Sequence, residues 1–136
     1  MKILQFAFSE DLPVNRYIPH NYAQNFITYT GTHDNNTVRG WYRHDTDDDM
    51  RRRIEEYTGR ALTEDDMPWM MCKLVYSSVA KTVIIPLQDL LGLDEMARMN
   101  TPASGDNNWQ WRLLPGQLTQ QAQQQLREWT KMYNRR

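Results

Sequence analysis

Cysteine is nearly missing. Cys72 stands alone in 136 residues, so no disulfide can close within the chain, and a reducing compartment is expected. Excess charge is missing as well: sixteen basic side chains face seventeen acidic ones, for a net charge of -1. That balance supplies no long-range attraction to nucleic acid or to an anionic membrane surface. No stretch approaches the ~18 apolar residues of a membrane span. The opening Met1–Phe8 run is short and meets acidic Glu10 and Asp11 at once. A secretory leader would need a longer apolar core and a small-residue cleavage site. Together these absences favour a cytoplasmic protein with neither nucleic acid nor membrane as partner, in which the Asn35-Asn36-Thr37 sequon is incidental. His20, His33, His44 and Asp34 sit at spacings that fit no metal-ligand pattern, so no metal site is expected.

What is present is an ordinary globular composition, 40% hydrophobic and 24% charged, at a length that suits one modest domain. Five Trp and seven Tyr point to a core or a stacking surface that uses them. The dense apolar run Lys2–Phe8 reads as a buried strand, and a Pro-punctuated loop follows through Pro13 and Pro19. Phe26–Thr32, rich in β-branched and aromatic residues, reads as a second strand ending in the polar cluster His33-Asp34-Asn35-Asn36. Helical character is expected around Met50–Tyr57, with a stop at Gly59. Thr63-Glu-Asp-Asp66 resembles a capping box for a helix reaching about Lys81, with Pro68 tolerable only in its first turn and Met70 and Met71 in the core. Thr82–Ile85, halted by Pro86, reads as a third strand. Ala122, Leu126, Trp129 and Tyr133 form one apolar stripe on a last helix, Thr119–Tyr133. Leu87–Leu118 between them shows little regular pattern, and loops that long in compact domains are usually functional. The basic run Arg51–Arg53 reads as a solvated helix face. Strand, helix, strand with apolar runs rather than alternation implies a parallel sheet. Three parallel strands would leave two open edges, so the chain looks like a piece of a larger α/β layer or barrel.

Six blocks in order and spacing resemble one known family: Met1-Lys-Ile-Leu-Gln-Phe-Ala-Phe8, Pro19-His-Asn-Tyr22, Tyr29-Thr-Gly-Thr-His-Asp-Asn-Asn-Thr37 with Gly40-Trp41, Ile85-Pro-Leu-Gln-Asp-Leu-Leu-Gly-Leu93, Ala97-Arg-Met-Asn-Thr-Pro102 and Asn108-Trp-Gln-Trp-Arg112. They are similar to the amylomaltases, the 4-alpha-glucanotransferases of glycoside hydrolase family seventy-seven, and span almost the whole chain. The resemblance implies an α/β fold in which this chain is the C-terminal part of a (β/α)8 TIM barrel, about its last three strands and their helices. It also implies a retaining transfer of alpha-1,4-glucan segments between maltooligosaccharides, with no cofactor. The partners implied are an alpha-glucan substrate and the remaining N-terminal part of the barrel, with self-association if the chain stands alone.

Retaining enzymes of this kind need a nucleophilic carboxylate and an acid/base carboxylate about 5 Å apart. The resemblance assigns both to strands upstream of this chain. It assigns Asp34 as the third, catalytic carboxylate, which binds the donor sugar's hydroxyls in the transition state, and His33 and Asn100 as substrate-binding residues. Arg98 is either structural or a sugar contact, and Trp109 and Trp111 are either a packed loop or a stacking surface for sugar. Gln88-Asp89, read as the end of the last strand, would support the site from behind. Thr28, Thr30, Thr32 and Asp34 share strand parity, which makes a polar row facing the barrel lumen possible. The sequence departs from the family pattern at Asn36, where Asp is expected, and at Ala103-Ser104, where a glycine commonly follows the proline. A rival reading is a carbohydrate-binding or assembly fragment without catalysis of its own.

Overall fold

The computed structural model describes residues 1–135. Three short strands, β1 (Lys2–Ile3), β2 (Ile27–Tyr29) and β3 (Thr82–Ile84), form a parallel sheet in the order β1-β2-β3. The register aligns Ile3 with Tyr29 and Tyr29 with Ile84 in one row, and Lys2 with Thr28 and Thr28 with Val83 in the next. Parallel neighbours need crossovers. The crossover from β2 to β3 carries three helices: α1 (Val38–His44), α2 (Asp48–Thr58) and α3 (Met67–Ser77). A short α4 (Leu87–Leu90) follows β3, and α5 (Gln120–Met132) ends the chain's regular structure.

Local chemistry sets most of these boundaries. Asp47 caps α2 by accepting from the Met50 N–H at 2.8 Å, Asp48 and Asp49 complement the helix dipole, and Gly59 at φ 79 closes it in the left-handed conformation. The Asp66 carboxylate accepts from both the N–H and the hydroxyl of Thr63, at 2.9 and 2.8 Å, and Pro68 lies in the first turn of α3. Thr119 caps α5 through the Ala122 N–H at 3.1 Å. Beyond α5, Arg135 donates to the carbonyls of Tyr76, Ser78 and Ala80 at 2.7, 2.7 and 2.9 Å, satisfying the C-terminal end of α3.

The helices cover one face of the sheet. Leu4, Phe8, Ile18, Val38, Trp41, Ile54, Met67, Met71 and Val75 form its core, with Val83 and Ile85 packed against them. A second cluster joins α3 to α5 through Cys72, Ala122 and Trp129, with Trp69 and Tyr76 edge-on or tilted to the Trp129 ring. Among the described residues no helix covers the opposite face of the sheet: Ile27, Ile84, Phe6 and Met1 are 42 to 69% exposed.

Several expectations are corrected here. The Lys2–Phe8 run leaves the extended conformation after Ile3 and enters a 3-10 turn over Leu4–Phe6. Leu4, Ala7 and Phe8 are all fully buried, and their spacing of three and four is that of a helical turn, so apolar density marked burial rather than a long strand. The strand expected over Phe26–Thr32 is shorter, and the helix expected to reach Lys81 stops at Ser77. The Lys81 N–H is taken up by the Gln24 carbonyl at 2.8 Å, where the sheet begins. Thr28 and Thr30 do not face the open side. Both are buried against the helix layer, where Thr28 donates to the Tyr22 hydroxyl at 3.2 Å and Thr30 to the Asp89 carboxylate at 2.6 Å. The open row is Ile3, Tyr29 and Ile84 instead. Of Arg51–Arg53, only Arg52 lies on a solvated face, beside Asp49. Arg51 lies 4.6 Å over the Tyr42 ring and donates to the Tyr42 carbonyl, and Arg53 donates to the Phe8 carbonyl.

Candidate active site

The C-terminal end of β2 runs into a tight loop, 31–37, that presents His33 and Asp34. Thr32 and Asn35 close it: the Thr32 N–H and hydroxyl both donate to Asn35 Oδ1 at 2.9 Å, and the Asn35 N–H returns to the Thr32 carbonyl at 3.1 Å. Behind it, Gln5 donates to the Asn36 carbonyl at 2.8 Å. The loop then feeds α1, capped by Thr37. Gly40 sits in the first turn of α1 because the Asn36 side chain lies against it; a Cβ there would fall 2.4 Å from Asn36 Oδ1.

The long segment after α4 comes back to meet this loop. Asn100 donates its amide to Asp34 Oδ1 at 2.7 Å and its backbone N–H to the His33 carbonyl at 3.1 Å. Arg98 donates to the carbonyls of Asp34 and Asn100, at 2.8 and 2.9 Å. His33 Nε2 lies 3.3 Å from Asp34 Oδ1, and both side chains remain about half exposed, at 55% and 53%. The Trp109 ring packs 5.0 Å from the His33 ring and is itself half exposed. Among the described residues no donor takes Asp34 Oδ2.

His33, Asp34 and Asn100 are thus brought together at the end of the sheet where parallel-strand enzymes place their chemistry. Arg98, open between two roles in the sequence, holds main-chain carbonyls of the two loops. Asn100 is engaged with Asp34 itself, which orients the carboxylate. Below Asp34, a cleft runs down the open face past Tyr29, Ile3, Phe6, Ile84 and Pro86. His20 and His44 lie elsewhere, on Pro13 and Tyr57 and on Glu95 respectively. Among the described residues no three His, Cys, Asp or Glu side chains converge as a metal cage.

Gln88 and Asp89, expected to support the site from behind, do lie behind the loop, on α4 rather than on the last strand. Asp89 is fully buried, and burial pushes its carboxyl up to about 6, while the Thr30 hydroxyl and the Val38 N–H pull the other way. Gln88 donates to the Ala97 carbonyl at 3.2 Å. Both departures from the family pattern have structural correlates. Asn36 points its amide at Asp45 across 3.4 Å, where an Asp would meet a like charge. Ala103 stands at φ 65, the left-handed region that glycine occupies without strain.

Residues 1–119 match the family model described as 4-alpha-glucanotransferase. The chain belongs to that family. It is 46% identical to the 4-alpha-glucanotransferase of Streptococcus pneumoniae (serotype 4), over 99% of this chain and 26% of the relative. Identity to the Thermus thermophilus 4-alpha-glucanotransferase is 43%, over 88% of this chain and 25% of the relative. The solved amylomaltase from Streptococcus agalactiae, in complex with acarbose, superimposes with a TM-score of 0.91 at 37% identity, covering 99% of this chain and 27% of that one. The chain therefore spans about a quarter of the length of these relatives, and corresponds to a C-terminal portion of them.

Proposed function

We propose that this chain is the C-terminal part of the catalytic barrel of a 4-alpha-glucanotransferase, supplying one of three active-site carboxylates. The observation that carries the reading is Asp34: a half-exposed carboxylate at the C-terminal mouth of a parallel sheet, aimed by Asn100 and His33, with one oxygen unclaimed among the described residues. In a retaining transfer, a carboxylate attacks the anomeric carbon while an acid/base group protonates the leaving oxygen. The 4-hydroxyl of a second sugar then takes the glucanyl unit from the enzyme. Both of those carboxylates belong to the N-terminal remainder of the barrel, which is the chain's expected partner along with an alpha-1,4-glucan.

Asp34 acts on the transition state. The sugar ring flattens as positive charge develops, its hydroxyls shift, and a fixed carboxylate gains strength against both changes. His33 offers a second hydrogen bond to the same sugar, and the half-exposed Trp109 ring beside it offers an apolar sugar face something to stack on. No cofactor takes part. The absence of charge excess and of a second cysteine favours a cytoplasmic location with neither nucleic acid nor membrane as partner.

The test is maltotriose disproportionation by the full-length enzyme that contains these residues. Asp34→Asn is expected to lower kcat roughly a thousandfold with little change in KM, equivalent to about 4 kcal/mol of lost transition-state stabilisation. A kcat within tenfold of wild type removes Asp34 from the catalytic set. The second reading, a carbohydrate-binding or assembly fragment, is favoured by the uncovered sheet face. On either reading the isolated 136-residue chain is inactive and self-associates. Glucose release and light scattering decide that.

A further inference from the structure

The two oxygens of the buried Asp89 carboxylate each hold one end of the loop that presents His33 and Asp34. Oδ2 accepts from the Thr30 hydroxyl at 2.6 Å, immediately before the loop, and Oδ1 accepts from the Val38 N–H at 2.8 Å, immediately after it. Asp89 itself does not move freely. It lies on α4, whose Leu90 is buried and whose Leu90 carbonyl accepts from the Trp69 indole of α3 at 2.9 Å. The neighbouring Gln88 reaches the Ala97 carbonyl, directly upstream of Arg98 and Asn100. One short helix therefore anchors both arms of the site. Among the described residues, the buried Cys72 thiol of α3 lies near enough to feel the Asp89 charge, and His33 and Arg98 line the same cavity as Asp89.

We propose that Asp89 is a positioning residue for Asp34: by clamping the loop at both ends it fixes where the Asp34 carboxylate stands against the substrate. The proposal rests on the reading of Asp34 as the transition-state carboxylate. Small displacements of a reacting or stabilising group cost rate out of proportion to their size. An isosteric amide preserves the clamp. Its oxygen still accepts from Val38, and its NH2 donates to the Thr30 hydroxyl oxygen, which has lone pairs to spare. The clamp thus depends on shape and hydrogen bonds, not on charge.

The experiment compares Asp89→Ala and Asp89→Asn with wild type in the full-length enzyme, following maltotriose kinetics and amide hydrogen exchange over residues 31–38. Asp89→Ala is expected to lower kcat at least about thirtyfold with KM within about threefold. Exchange across the loop should rise at least about tenfold with the rest of the sheet unchanged. Asp89→Asn should restore both. Wild-type kcat in Asp89→Ala, unchanged loop exchange, or an Asn variant as impaired as the Ala variant each overturns the proposal. Should Asp89→Ala fail to fold, Thr30→Val against Thr30→Ser asks the same question: the valine loses kcat and loop protection, and the serine, which keeps the hydroxyl, regains them. A wild-type enzyme silent on maltotriose while the loop still loosens in the variant sinks the assignment of Asp34, and the catalytic role of the clamp with it, but leaves the clamp itself standing.

Discussion

The two faces of the sheet are built to opposite standards. On the helix side, Leu4, Phe8, Val38, Ile54, Met67, Met71 and Val75 have no solvent exposure at all, and the polar groups there, Thr28, Thr30 and Asp89, are each hydrogen-bonded. On the other side, Ile27, Ile84, Phe6 and Met1 stand open; beyond the sheet, the segment from 101 to 118 also lies almost wholly exposed, including Trp109 and Leu114. Soluble monomers seldom leave a contiguous apolar face uncovered. The packed face is filled from within the chain; on the proposed reading, the open face is half of a contact. His33 and Asp34 stand at the rim between them, held from the packed side and directed over the open one.

Cutting a large side chain from each face sharpens that contrast most. Phe8→Ala is expected to destabilise the isolated chain and the full-length enzyme alike by about 4 kcal/mol, since it opens a cavity in a filled core. Ile84→Ala should cost the isolated chain, diluted until monomeric, under about 0.5 kcal/mol, and the full-length enzyme about 2 kcal/mol or more if the rest of a barrel covers Ile84 there. Urea unfolding of both variants in both settings reads the difference, and equal losses for Ile84→Ala would show that nothing packs on that face.

The packed side also holds a charge that the open side would solvate. Asp89 has its carboxyl raised from the ordinary 3.8 to about 6. The folded state therefore keeps a proton between those values that the unfolded state has lost, and stability contributed by the neutral form drains away as pH rises through the window. Asp89→Asn carries no such penalty. Relative to wild type it should gain about 3 kcal/mol as pH rises from below 3.8 to above 6. Unfolding of the two proteins in urea at pH values across that window measures it, and a flat difference would mean the carboxylate is not desolvated.

On the open side the smallest effect is expected. Ala103 at φ 65 carries the strain of a left-handed alanine, so Ala103→Gly should stabilise by roughly 0.5–1 kcal/mol after glycine's greater entropy loss. A lower melting temperature for the glycine variant would show that the exposed segment is too loose to feel the strain.

The sequence was most legible where periodicity or capping spoke alone. The stripe Ala122, Leu126, Trp129, Tyr133 located α5, and Gly59 located the end of α2. Legibility failed where burial and conformation part company. Leu4 and Phe8 are as buried as any strand residue yet belong to a turn, and α1 is a seven-residue helix with Gly40 in its first turn, too short to show a period. The candidate site residues His33, Asp34 and Asn100 came from resemblance to a family and not from spacing, since nothing local joins residue 34 to residue 100. The threonine parity was read correctly but assigned to the wrong face, because hydroxyls suit a lumen as well as they suit a buried carboxylate partner. Asp89 offered no signal as a clamp: its two partners lie 59 and 51 residues upstream.

That separation has a consequence for how the protein is made. The Asp34 loop leaves the ribosome well before the residues that hold it, with Asp89 59 residues beyond Thr30, and Arg98 and Asn100 64 and 66 residues beyond Asp34. Local helices form in microseconds, whereas contacts of this range wait for chain closure. During N-to-C synthesis the loop between β2 and α1 stays unclamped until β3 has paired and α4 has docked behind it. The rim that carries His33 and Asp34 therefore takes shape late, and any pause in translation between residues 38 and 89 prolongs the interval in which β1 and β2 are present without the clamp.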